Sequence, residues 1–206
     1  MSADFHVYEP RNGHGLPHDP FNAIIGPRPI GWISSRSAEG VLNLAPYSFF
    51  NALNYVPPIL GFSSTGRKDS VANIEATGEF AWSLATRDLA MKMNATAAMV
   101  PPDVDEFELA DIEKAPSRLI DVPRVAASPA SMECKVLDVI RLKRLDGSPV
   151  DSWLVLGEVV AIHIDKAYLK DGVYQTAEAY PILRAGGPGS YVQVTPEAVF
   201  DMRRPR

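Results

Sequence analysis

Only one of the 206 residues is a cysteine, Cys134. A lone thiol excludes an internal disulfide framework and any zinc site made from several cysteines, and it suits a reducing compartment. Positive charge is also scarce. Twenty Lys and Arg stand against 25 Asp and Glu, giving a net charge of -5 and a pI of about 5.4. Binding a phosphate backbone demands a cationic footprint, so no nucleic-acid partner is expected. Long apolar runs are missing too. The richest, Trp153 to Ile164, is shorter than the roughly 18 residues of a membrane span and is interrupted by Glu158. The first ten residues carry Asp4 and Glu9 and lack the basic-then-apolar order of a secretory signal. These absences lead us to expect no membrane partner and a cytoplasmic location. The sequence has no G-x-G-x-x-G, G-x-S-x-G, H-E-x-x-H or C-x-x-C motif. His6, His14 and His18 lie in a proline-rich stretch without ligand spacing, so no metal site is expected.

What is present reads as one globular domain. Apolar residues make up 46% and charged residues 22%, ordinary values for a packed chain. No linker or repeat divides residues 1–206. Residues 1–20, with Pro10, Gly13, Gly15, Pro17 and Pro20, read as an extended N-terminal arm. The 18 prolines, about twice the usual share of roughly 5%, argue for loops and strand edges and against a helical bundle. Pro29–Ser35, Leu44–Asn51, Pro58–Ser63 and Phe80–Ala85 have the composition of strands. Residues 131–145 alternate, with Met132, Cys134, Val136, Ile140 and Leu142 on one face and Glu133, Lys135, Arg141 and Lys143 on the other. Asp146-Gly147 then marks a turn into the next strand.

Trp153–Ile164 is apolar on both faces: Trp153, Val155, Val159 and Ala161 on one, Leu154, Leu156, Val160 and Ile162 on the other. Such a strand needs a second cover, from a helix or a second subunit. Helices are fewer. Asp69 or Ser70 can cap one ending at Gly78, residues 88–98 form another, Asp103-Val-Asp-Glu106 has capping-box spacing, and Thr195-Pro196 opens a short last one. The fold class expected is mainly β, an antiparallel barrel with short helical insertions.

One segment carries chemistry. Gly61 to Lys68 has the two glycines of a P-loop, but Arg67 and Lys68 stand where lysine and Ser or Thr belong, so NTP hydrolysis is rejected. Ser63, Ser64 and Thr65 still offer hydroxyls, Arg67 and Lys68 charge, and a helix start near residue 70 its N–H groups. Read alone, the segment is either an anion site or a solvated turn before a capped helix. His163 reads as a core or interface histidine, with a site role as the alternative. Glu158 is expected to pair with an arginine across a sheet or an interface. Cys134 is expected to be an inert buried thiol, and Trp32, Trp82 and Trp153 are expected in the core.

Several pieces occur in one order: Arg28-Pro-Ile-Gly-Trp-Ile-Ser-Ser35, Asn43-Leu-Ala-Pro-Tyr-Ser-Phe-Phe-Asn51, Pro57-Pro58, Arg67-Lys-Asp-Ser70 with Asn73-Ile74, and Gly78-Glu-Phe80. Ser131 to Cys134, Leu156 to Val159, Ile162 to Ile164, Asp171-Gly172, and Arg184 with Gly186-Gly187 and Tyr191 follow. The ordered set resembles the flavin reductase-like family of FMN-binding split barrels, which includes flavoredoxin-type proteins. The resemblance implies an antiparallel split β-barrel and a homodimer with one FMN per subunit near the interface. It implies an oxidoreductase that takes a hydride from NADH or NADPH and passes electrons to free flavin, a monooxygenase partner or an electron-transfer protein. An FMN electron carrier without a nicotinamide site and a non-enzymatic flavin-binding dimer are the alternatives.

Carried over by motif, Ser34 and Ser35 would meet the flavin's polar edge or ribityl chain. Ala45, Pro46, Tyr47, Ser48 and Phe49 would line the isoalloxazine. Ser63, Ser64, Thr65, Arg67, Lys68 and Ser70 would surround the phosphate, with Asn73 in support. Asp69 would point away as a helix cap. No catalytic side chain is implied, because the flavin itself takes the hydride. Ser35 and Ser70 stand where relatives commonly have Thr, and Ala185 with extra residues before Tyr191 departs from the family's tail.

The doubly apolar Trp153–Ile164 strand and the resemblance together predict a homodimer. Light scattering at micromolar concentration is expected to give twice the 22.5 kDa chain mass, and a particle of chain mass would contradict it.

Overall fold

The computed structural model describes residues 3–205. Seven strands make its main sheet: β1 (Gly31–Arg36), β2 (Leu42–Tyr47), β3 (Phe50–Asn54), β4 (Ile59–Thr65), β5 (Glu79–Ser83), β6 (Ala130–Lys143) and β7 (Pro149–Ile164). Their spatial order is β2-β1-β5-β6-β7-β4-β3, antiparallel throughout. This is the expected mainly β fold, an antiparallel split barrel with short helical insertions. Helix α1 (Asp69–Thr77) links β4 to β5 and packs on β1, while α2 (Ala90–Ala95) and α3 (Glu106–Leu109) rest against β2. Late in the chain, β8 (Ile182–Arg184) pairs with Arg28–Pro29 on one side and β9 (Tyr191–Gln193) on the other.

The curl of the sheet encloses Ile33, Phe62, Val71, Ile74, Phe80, Cys134 and Val155. Each large side chain fully buried there contributes roughly 1.5–3 kcal/mol. Burial pushes the Cys134 thiol pKa up, which keeps it inert. Gly157 is required where β7 crosses Phe80, because a Cβ there would lie 2.4 Å from a ring carbon. A second cluster, with Trp32, Leu44, Met93 and Phe107, fills the space under α2 and α3. Trp32 Nε1 donates to Thr96 Oγ1 at 3.0 Å, and Trp82 stacks on Phe50 with centroids 5.7 Å apart. Trp153 is only half-buried, beneath the Arg141 guanidinium.

Several local expectations are corrected. The predicted Leu44–Asn51 strand is two strands, broken at Ser48 and Phe49, where Ser48 O accepts from Arg28 Nε and Phe49 O from Ser63 N–H. The cap of α3 is Asp105, which accepts from Phe107 N–H, not Asp103. The last helix is a single 3-10 turn, Pro196–Ala198. Within the chain, no ion pair of Glu158 is present among the described residues, so pairing across the sheet is not found.

Two bulges reset the strand alternation. Leu137 is extra in β6, between the pairs Val136–Gly157 and Asp138–Leu156. Beyond it Val139 packs on the core, and Ile140 is exposed. The predicted period of two therefore holds only as far as Val136. Val160 is extra in β7, between Val159–Cys134 and Ala161–Glu133. It packs on Ala81, Ile120 and Val122, so the chain itself supplies part of the second cover predicted for this strand.

The same bulge turns His163 away from the face of Val159 and onto Glu133. Glu133, expected on a wet face, is fully buried. It accepts hydrogen bonds from Arg118 N–H at 2.7 Å, Leu119 N–H at 2.6 Å and the His163 ring. Burial alone would raise its pKa. The donors Arg118, His163 and Leu119 outweigh burial and hold the carboxyl below its usual range.

A depressed native pKa gives stability that is present above the unfolded value, near 4.3, and is lost as pH falls through the native one. Glu133→Gln is therefore expected to cost about 1–3 kcal/mol at neutral pH. The gap from wild type should shrink on acidification. Urea unfolding of both proteins at neutral and acid pH tests this, and a gap independent of pH would contradict it.

Candidate functional site

The chain turns at Gly66, whose φ of +85° favours glycine. Its N–H donates to Asp151 O at 2.9 Å, which pins the loop to the start of β7. Lys68 then takes the N-cap position of α1 in an extended conformation, and no side chain caps the helix. The predicted caps act otherwise. Asp69 lies in the first turn, and the Ser70 hydroxyl donates to Asn43 Oδ1 at 2.6 Å. First-turn amides without a side-chain acceptor, next to a cation, favour an anion.

The start of α1 lies beside β2. Ala45, Pro46 and Tyr47 join Lys68, Asp69 and Ser70 around one cavity of about 290 Å³, completed by Asn43, Thr96 to Val100 and Glu106. A larger cavity of about 480 Å³ is lined by apolar groups such as Trp82, Met132, Ile162 and Ile182. It offers no charge with which to hold a polar ligand, whereas the smaller one joins a cationic helix start to β2, and it is the candidate on that ground.

A polar network supports the cavity. The Asn43 carboxamide accepts from Ser70 and from Ser35 Oγ at 3.3 Å, and donates to Glu106 Oε1 at 2.9 Å. Asn73 Nδ2 donates to Ser35 Oγ at 3.3 Å. Leu44 N–H donates to the other Glu106 oxygen at 2.9 Å. Burial pushes the Glu106 pKa up, against the bonds from Leu44 and Asn43. The Tyr47 hydroxyl is buried without a hydrogen-bond partner among the described residues. Burial pushes its pKa up, opposed in part by the nearby Ser70 and Ser64 hydroxyls.

The remaining candidates are more dispersed. The Ser34 hydroxyl turns from Ser35 to Pro123 O, at 2.6 Å, and is buried there. Ser48 and Phe49 form the bend after β2, with the Arg28 guanidinium 5.5 Å above the Phe49 ring. Ser64 is buried and donates to Gly66 O, Ser63 is half-buried, and Thr65 is exposed. Arg67 is paired with Glu75 at 2.5 Å, whereas no ion pair of Lys68 is present among the described residues. Sequence reasoning missed the roles of Asn43 and Glu106. Asn43 opens the Asn43 to Asn51 motif, but Glu106 offered only a capping pattern. Among the described residues, no three His, Cys, Asp or Glu gather as a metal site, and no helix is long and apolar enough to cross a membrane.

A family model described as a flavin reductase like domain matches residues 26–183. An uncharacterised protein of Aquifex aeolicus is 36% identical over 171 residues, spanning 80% of this chain and 83% of its own. Nitrilotriacetate monooxygenase component B from Bacillus cereus has a TM-score of 0.86 and 31% identity, over 98% of this chain and 100% of that one. A split-barrel-domain structure from Shewanella frigidimarina agrees in fold, with a TM-score of 0.77, 20% identity, and coverage of 90% and 89%.

The network ranks its members. Asn43→Ala strands the Glu106 carboxylate and the Ser70 hydroxyl, so it is expected to cost about 2–3 kcal/mol. Ser70→Ala removes one hydroxyl and should cost about 1 kcal/mol, with Ser35→Ala less. Urea unfolding midpoints check the order, and equal losses would refute it.

Proposed function

The chain belongs to the flavin reductase-like family, and on that premise we propose that it binds FMN between α1 and β2. In this reading it takes a hydride from NADH or NADPH and delivers electrons to a separate acceptor. The observation that carries the reading is the single cavity shared by a cationic, uncapped helix start and the Ala45–Tyr47 strand. FMN would supply the redox chemistry, accepting the hydride and releasing electrons to an acceptor. The residues fit such a group: a cation and unsatisfied amides for a phosphate, hydroxyls for a polyol, and an orphan Tyr47 hydroxyl in the lining.

Each residue then has a task. Lys68 and the first amides of α1 hold the phosphate, assisted by Arg67, Ser63, Ser64, Thr65 and Ser70. Ser35 and Asn73 stand toward the ribityl chain, with Ser34 behind them. Ala45, Pro46, Tyr47, Ser48 and Phe49 orient the ring system and exclude water from one face. Glu106 directs both oxygens to Asn43 and Leu44, so its charge is satisfied within the protein. We take the protein to be a cytoplasmic homodimer. The similarity to a monooxygenase component B supports a partner monooxygenase as acceptor.

Among the described residues Arg67 is paired and Lys68 is not, so the two cations should differ. A charge-assisted hydrogen bond is worth roughly 1.5–3 kcal/mol, about 10- to 150-fold in affinity. Lys68→Ala is expected to weaken FMN within that range and leave riboflavin nearly unchanged, while Arg67→Ala does less. Fluorescence titration with both flavins checks this, and equal effects on the two would place the phosphate elsewhere. An anaerobic stopped-flow mix of FMN-loaded protein with NADH or NADPH should bleach the flavin's visible absorbance. No bleaching with either would leave a carrier or binding protein.

A further inference from the structure

We infer that Glu75 sets how tightly this protein holds a phosphate, by occupying the binding edge of Arg67 and so keeping the flavin exchangeable. The inference rests on the FMN reading above. Arg67 Nε and Nη2 both donate to the same Glu75 oxygen, at 3.0 and 2.5 Å. That edge of the guanidinium is a fork that would grip a phosphate with two parallel bonds. A phosphate using it must displace Glu75 or share the guanidinium with a second anion.

The surroundings make the competition local. Gly66 N–H is tied to Asp151 O, which fixes where Arg67 leaves the backbone. The Arg67 side chain is 53% exposed and that of Glu75 33%. Water and ligand can therefore reach the pair, and neither partner is locked in by packing. Exposed pairs of this kind are weak. Glu75 thus acts as a brake on affinity and does not block the site. A flavin held this way leaves readily enough to serve as an exchanging substrate.

The test is Glu75→Gln, alone and combined with Arg67→Ala, titrated with FMN and riboflavin by flavin fluorescence quenching. Gln keeps the length and helix propensity of residue 75. Glu75→Gln is expected to bind FMN about two- to fivefold tighter and release it more slowly, with riboflavin affinity unchanged. In the Arg67→Ala background the same substitution should have little effect. Unchanged or weaker FMN binding in Glu75→Gln would overturn the inference, as would an equal gain without Arg67, which would indicate only a long-range field. Failure of the FMN reading looks different: wild type and every variant would bind FMN and riboflavin alike.

Discussion

Glu79, Glu106 and Glu133 carry carboxylates into the interior, where each residue is less than a tenth exposed. A carboxylate out of water must find donors where it lies, at a cost of several kcal/mol if it does not. Here each finds at least one backbone amide, from the 118–121 loop or from β2. Asp121 N–H binds Glu79, Leu44 N–H binds Glu106, and Arg118 and Leu119 N–H bind Glu133. The Glu79 and Glu133 contacts hold the 118–121 segment against the sheet. The Glu106 contact holds α3 against β2.

The candidate site inherits this arrangement. Glu106 orients the Asn43 carboxamide by accepting from its nitrogen, and the opposite oxygen collects Ser70 and Ser35. Ser70, in the first turn of α1, thus gives its hydroxyl to the neighbouring strand. The helix start is left open because Lys68, which has no acceptor, stands at its N-cap. The loop before it shows the same economy of partners, with Gly66 tied to β7 and Arg67 folded back along the helix to Glu75.

Much of this was legible in the sequence. Alternation and turn residues marked the strands and the β6–β7 hairpin, and Arg67 to Ser70 marked the helix start that lines the cavity. What was hidden depends on contacts distant along the chain. An apolar alternation does not announce an extra residue, so Leu137 and Val160 went unseen as bulges. Glu133 sits at a polar position like any exposed one, and only the loop folding over it makes it buried. Ser70 reads as a cap until Asn43, 27 residues earlier, is placed beside it.

The two bulges also divide the long hairpin along its length. Near its base β7 serves the 118–122 segment through Val160 and His163, while farther out the same strand serves the barrel through Val155. Losing one residue in the regular part of either strand would exchange inside for outside over the rest of that strand, whereas losing Leu137 or Val160 would only restore an unbroken ladder. The tip, Arg144 to Ser148, carries no such phase relation. Changes in chain length within this family should therefore accumulate at the tip and be purged from the stems, even where the stems are exposed to solvent.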